Sequence, residues 1–234
     1  MGINAANVKG NANKQYAPQP DIEDGNYPAR LVQVIDLGLQ AQRPYLGEPK
    51  PPAHEVLFTF ELVDCFMLDE EGNDIEDKPR WVSFTIPLRH IDNEKAKSTK
   101  LAKAIDPTNE LGGDFAKMIG MPLNVTIGLT KKGDKTYTNI LGTAAMRPRD
   151  AQKCPELKNP SKLFDLDDPN MEVFNSLPEW MREKIKGNLN FQHSKLQKAL
   201  GDAPVEAAAP AQEEYKEPVG EDVDQPQEGD DLPW

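Results

Sequence analysis

The chain is poor in the residues that build metal centres and disulfide frameworks. Its 234 residues include two cysteines, Cys65 and Cys154, and three scattered histidines, His54, His90 and His193. No pair of them has zinc spacing, so no metal is expected, and two lone thiols suit a reducing compartment better than a disulfide scaffold. Long apolar runs are missing too. Nothing approaches the roughly 18 apolar residues that span a bilayer, so no membrane segment is expected. The first residues lack a basic stretch followed by an apolar one, which argues against a secretory leader. There is no GxxxxGK[ST] phosphate loop and no internal repeat. The chain therefore reads as a non-enzyme without a cofactor. One enzymatic alternative stays open: Asp64, Asp69, Glu70 and Glu71 lie near a turn and could hold a divalent ion for a nuclease, although acidic turns are ordinarily just solvated.

What the chain has in excess is negative charge, and almost all of it sits in one place. The formal net charge is −12. Residues 201–234 contain eleven acidic residues and one basic one, Lys216, so −10 belongs to the tail; the first 200 residues are close to balanced. The tail has five prolines and too little apolar surface to offset the entropy of ordering it. Residues 1–20 are similarly polar and aperiodic. Four parts are expected: a flexible arm (1–20), a folded domain (21–145), an extension with short helices (146–200), and a disordered acidic tail (201–234) with an aromatic tip.

Between the tails, hydrophobic periodicity sets the elements. Residues 27–37 read as a first strand. Residues 55–63 alternate cleanly, with Val56, Phe58, Phe60 and Leu62 on one face and Leu57, Thr59 and Glu61 on the other. Residues 80–88 repeat the pattern, with Val82, Phe84 and Ile86 opposite Trp81, Ser83 and Thr85. Residues 93–105 switch to a helical pattern with Lys95, Lys97, Lys100 and Lys103 on its wet side, and a short helix is expected at 114–119, closed by Gly120. Residues 123–129 and 135–141 form a hairpin around 131–134. Helices are expected at 178–186 and 191–200, with Trp180 and Met181 packed on the sheet.

Three strands, a helix and a two-stranded hairpin form an all-β core with added helices. Closing such a sheet removes its exposed edges. The order is that of the five-stranded OB-fold barrel, with its helix between strands 3 and 4, though other five-stranded barrels share it.

Basic and aromatic residues cluster in the loops and on one face of this core. Residues 78–103 hold seven basic residues against two acidic ones. A single nucleic-acid strand offers unstacked bases and a phosphate chain, which call for aromatic rings and cations respectively. The stacking candidates are Trp81, Tyr45 and Tyr137. The phosphate candidates are Arg43, Arg80, Arg89, Lys131, Lys132 and Lys135. Taken singly, each has a plainer reading: a covered tryptophan, a solvated lysine face. In the tail, Asp230, Asp231 and a terminal carboxylate suit a basic rim, and Trp234 suits an apolar pocket. Pro233 holds Leu232 extended, which lowers the ordering cost. Such a polyanion can also compete with nucleic acid for the chain's own cations.

The end Asp230-Asp231-Leu232-Pro233-Trp234 resembles the acidic tip of bacterial single-stranded DNA-binding proteins, departing from it by closing on Trp instead of Phe. The body is similar to single-stranded DNA-binding proteins of tailed bacteriophages. The likeness rests on Tyr27-Pro28-Ala29-Arg30-Leu31, on Glu55-Val56-Leu57-Phe58-Thr59-Phe60-Glu61-Leu62, on Lys78-Pro79-Arg80-Trp81-Val82-Ser83 and on Leu177-Pro178-Glu179-Trp180. The resemblance implies an OB-fold and sequence-tolerant coating of single-stranded DNA during replication, recombination or repair. It also implies capture of replication or recombination proteins by the tip, in the cytoplasm of an infected bacterium. A different class stays open beside it: an OB-like protein adaptor that docks on such enzymes and binds no DNA itself.

Overall fold

The computed structural model describes residues 19–133 and 135–201; the acidic tail with its tip lies outside the described residues. In chain order the elements are β1 (Gly25–Gln40), β2 (Ala53–Leu68), β3 (Asp74–Pro87), α1 (Lys97–Ile105), β4 (Pro122–Lys132), β5 (Lys135–Ala144), α2 (Pro148–Ala151), β6 (Lys162–Phe164), α3 (Met171–Ser176), α4 (Glu179–Lys186) and α5 (Lys195–Leu200). Five antiparallel strands run in the order β3-β2-β1-β4-β5, and β6 pairs in parallel with β1. No helix among the described residues is long and apolar enough to cross a membrane.

The sheet curls without closing. β3 and β5 touch, but no ladder joins them among the described residues. Instead α1 contacts β3, β4 and β5 and fills the seam. Its Leu101, Ala104 and Ile105 are buried while Lys97, Lys100 and Lys103 face water. A fully hydrogen-bonded five-strand barrel is thus replaced by a half-barrel plugged by a helix. The 16-residue β1 makes the curl possible. Register shifts between Leu31 and Gln33 and between Asp36 and Gly38 bend it. Its first part pairs with β4, and beyond the bend residues Gln33–Ile35 pair with β6 on that same edge.

Two apolar clusters lie on opposite sides of the sheet. The inner one gathers Leu31, Phe58, Phe60, Leu62, Val82, Ile86, Leu123, Val125 and Ile127. The row read from β2 is therefore core, with Phe84 tilted against Phe58 and Phe60 at ring-centre distances of 6.1 and 5.7 Å. The second cluster packs Ile35, Leu37 and Leu57 against Phe164, Phe174, Met181, Ile185 and Leu196 of the extension. So β2 is buried on both faces. At the junction Gly38 (φ +80°) allows close approach: a Cβ there would come within 2.7 Å of Asn188 Cγ. Lys184 Nζ reaches Glu55 Oε2 at 3.2 Å, tying α4 to β2.

Several elements differ from the sequence reading. Residues 111–121 form successive tight turns with i+3 backbone bonds, such as Met118 N to Phe115 O, and no α-helix. Phe115 and Met118 turn into the inner cluster. Residues 191–194 also turn, and α5 starts only at its Ser194 cap, whose Oγ accepts Gln197 N. Met181 is buried as expected, but Trp180 is 44% exposed. At the N-terminal edge, Gln19 pairs its amide with both backbone groups of Leu68. Within the extension, residues 146–164 include α2 and the short strand β6.

Candidate nucleic-acid interface

Period-two alternation puts Trp81 on the outer face of β3, opposite Phe84. Register builds a cross-strand row there: Arg30 on β1 stands beside Glu61 on β2, and Glu61 beside Trp81 on β3. Glu61 is completely buried. Its Oε2 accepts the indole Nε1–H of Trp81 at 3.1 Å. The same carboxylate accepts the backbone N–H of Lys158 at 2.6 Å, that of Asn159 at 3.3 Å and the Asn159 side-chain amide at 2.7 Å. A buried carboxylate without partners would cost several kcal/mol; these donors offset that cost. The result is a tryptophan fixed by its polar edge and still 39% exposed as a residue.

Arg30, at the other end of the row, is also buried. Its guanidinium donates to the carbonyls of Pro155 (2.6 Å), Gly120 (2.5 Å) and Cys154 (2.8 Å) and to Glu156 Oε1 (3.0 Å). Residues 154–159 are therefore strapped across the outer face, gripped by a cation at their carbonyls and by an anion at their amides. One row along, Thr59 Oγ1 lies 2.9 Å from Ser83 Oγ.

The other candidates fall at three places. Arg43 and Tyr45 lie in the β1–β2 loop, exposed, with Lys50 Nζ 4.6 Å from the Tyr45 ring centre. Arg89 follows β3 at the same end, since Leu88 N bonds His54 O at the start of β2. Lys131, Lys132 and Lys135 are exposed on the β4–β5 hairpin at the opposite end of β1, and Tyr137 is half-buried on the outer face of β5 beside Asn139. Arg80 does not share the Trp81 surface. It lies on the other face of β3, where its Nη1 donates to Pro20 O at 2.6 Å. The tip residues Asp230 to Trp234 lie outside the described residues.

Sequence reasoning missed Glu61, Lys158 and Asn159. A carboxylate inside an apolar strand was the one visible signal; its partners stand 20 and 97 residues away. Lys158 adds a cation beside the row, its Nζ 3.9 Å from Asp77.

Burial pushes the thiols of Cys65 and Cys154 up. The Asp69 carboxyl is held below its ordinary value because it accepts the Asn73 and Glu71 amides, which makes it a turn-closing group. Among the described residues no three His, Cys, Asp or Glu side chains gather as a metal site. A shallow hollow of about 570 Å³ lies on the β1–β4 side of the strap, lined by Asn124, Arg147 and Lys153 but also by Asp64 and Asp150. Its mixed charge does not favour an anion.

No protein-family model matches the chain, and no curated protein is detectably similar to it.

Proposed function

We propose that the chain binds single-stranded DNA without base readout, stacking bases on Trp81 and drawing phosphates to the surrounding cations. The observation that carries this reading is Trp81, anchored through Nε1 to a buried carboxylate and still 39% exposed. A hydrophobic ring held in place at the surface suits a sequence-tolerant stacking platform, because every base has a π face. The sheet order with α1 between β3 and β4 supports an OB-type fold, whose nucleic-acid face is formed by strands 2 and 3. Here the strap and helices cover the β1–β2 part of that face, so the strand runs along β3.

Charge sets the direction. The β2–β3 tip carries Asp69, Glu70, Glu71, Asp74, Glu76 and Asp77 and repels phosphate. Arg89, Arg43 and the exposed lysines of α1 attract it toward the other end. The acidic tail competes for these cations, and its tip recruits replication or recombination proteins, in keeping with a phage-encoded protein acting inside its bacterial host. The second reading, a protein adaptor without DNA of its own, draws on Trp180 and Leu189, both exposed on the extension.

Titrating the full chain with a thymidine oligomer and with a duplex, at rising salt, tests the proposal. The single strand should bind better, with log K falling by about 0.7 per phosphate contact for each unit of log salt. Absence of binding at low salt, or equal affinity for the duplex, sinks it in favour of the adaptor.

A further inference from the structure

Outer strand faces usually position their own side chains through neighbours in the sheet. Trp81 instead depends on a segment almost 80 residues later in the chain. Its Nε1–H is held by Glu61, and Glu61 is fixed by three N–H groups of Lys158 and Asn159. Those residues belong to a strap whose preceding part is gripped by Arg30. Without the strap the Glu61 carboxylate would turn toward water, and the indole would lose the group that fixes its ring plane.

We propose that Glu61 is a positioning residue of the nucleic-acid site and that residues 154–159 are its second half: the extension sets the orientation of the stacking ring and is part of the binding surface. The proposal rests on the reading of Trp81 as a stacking platform. It adds that a pre-oriented ring binds a base with less ordering cost than a free one.

The test uses the full chain with Trp180→Phe and Trp234→Phe, which leaves Trp81 as the only indole. Glu61→Gln keeps the shape but turns two acceptor oxygens into one acceptor and one donor, so an N–H loses its partner. Without DNA, Trp81 fluorescence in Glu61→Gln should show lower anisotropy and stronger acrylamide quenching. Affinity for a thymidine oligomer should fall about five- to tenfold. The decisive readout is non-additivity: in a Trp81→Phe background, which has no indole N–H, Glu61→Gln should weaken binding no further. Equal weakening in both backgrounds would make Glu61 merely structural and overturn the proposal. If Glu61→Gln does not fold, Asn159→Ala, which removes one donor from the strap, should raise Trp81 quenching and weaken binding in the same Trp81-dependent way; unchanged anisotropy and affinity there would equally overturn it. If Trp81→Ala itself leaves affinity unchanged, the stacking platform fails and the proposal fails with it. Weakening by Trp81→Ala alongside an inert Glu61→Gln refutes only the positioning role.

Discussion

Arg30 and Glu61 stand side by side across the β1–β2 ladder and divide one backbone segment between them, the cation taking carbonyls and the carboxylate taking amides. Complementary charges thus satisfy both polarities of a non-repetitive strand of chain. This is how residues 154–159, of which only Cys154 is itself buried, can be held against a sheet with only three residues of β-pairing following at β6.

Replacing Arg30 with Met should cost about 2–4 kcal/mol, because several carbonyls lose their donors together. Urea unfolding should show a lower midpoint at an unchanged slope. Arg30→Lys should recover only part of the loss, since one ammonium cannot reproduce a planar fork. A midpoint equal to that of the parent chain would show that the strap is held by other contacts.

Much of this architecture was legible in the sequence, and the misses share a cause. The Val56, Phe58, Phe60, Leu62 row and the outward Trp81 follow from strand alternation, a local property. The burial of Leu57, Thr59 and Glu61 on the opposite face does not, because it depends on chain from 154 onward folding back. β6 is only Lys162–Phe164, too short to carry a periodic signal. Residues 111–121 contain helix formers, but Gly112, Gly113 and Gly120 all adopt positive φ and the segment runs in turns. Arg80 and Trp81 are neighbours in sequence and face opposite ways, a consequence of the same alternation that located Trp81.

Leu46 is 87% exposed and has φ +51° in the turn closed by Tyr45 and Glu48, whose backbone groups bond reciprocally at 2.9 Å. A left-handed conformation costs an L-residue about 1–2 kcal/mol. The entropy lost by a glycine is about 0.5–1 kcal/mol. The difference favours Leu46→Gly by roughly 0.5–1 kcal/mol, since no buried contact is removed. A raised melting temperature checks this; a lowered one would mean that Leu46 makes stabilising contacts in the folded chain.

His54 Nε2 lies 2.6 Å from Asp36 Oδ1, and this bond holds the imidazole above its ordinary 6.5, against partial burial and with Asp165 and Asp167 adding in the same direction. A raised folded value means that the protonated form is favoured by the fold. The stabilisation is therefore complete below 6.5 and is lost as pH climbs through the folded value. Melting temperature should decline as pH rises above 6.5 and through the raised folded value, and His54→Gln should flatten that part of the profile. A histidine resonance for His54 titrating at or below 6.5 would contradict the pairing.

Removing residues 201–234 takes away −10 of the −12 net charge. The shortened chain should bind single-stranded DNA more tightly at low salt, with the difference shrinking as salt screens the competition. Weaker binding by the shortened chain would rule out self-competition by the tail.

The central claim is that Trp81 is where bases stack. Its most direct measurement is the affinity of Trp81→Ala for a thymidine oligomer, with folding checked by a parent-like circular dichroism spectrum and a cooperative unfolding transition, since Glu61 keeps its three strap donors in that variant. Loss of about 1–3 kcal/mol of binding free energy is the predicted result. A folded variant that binds as tightly as the parent chain would contradict it.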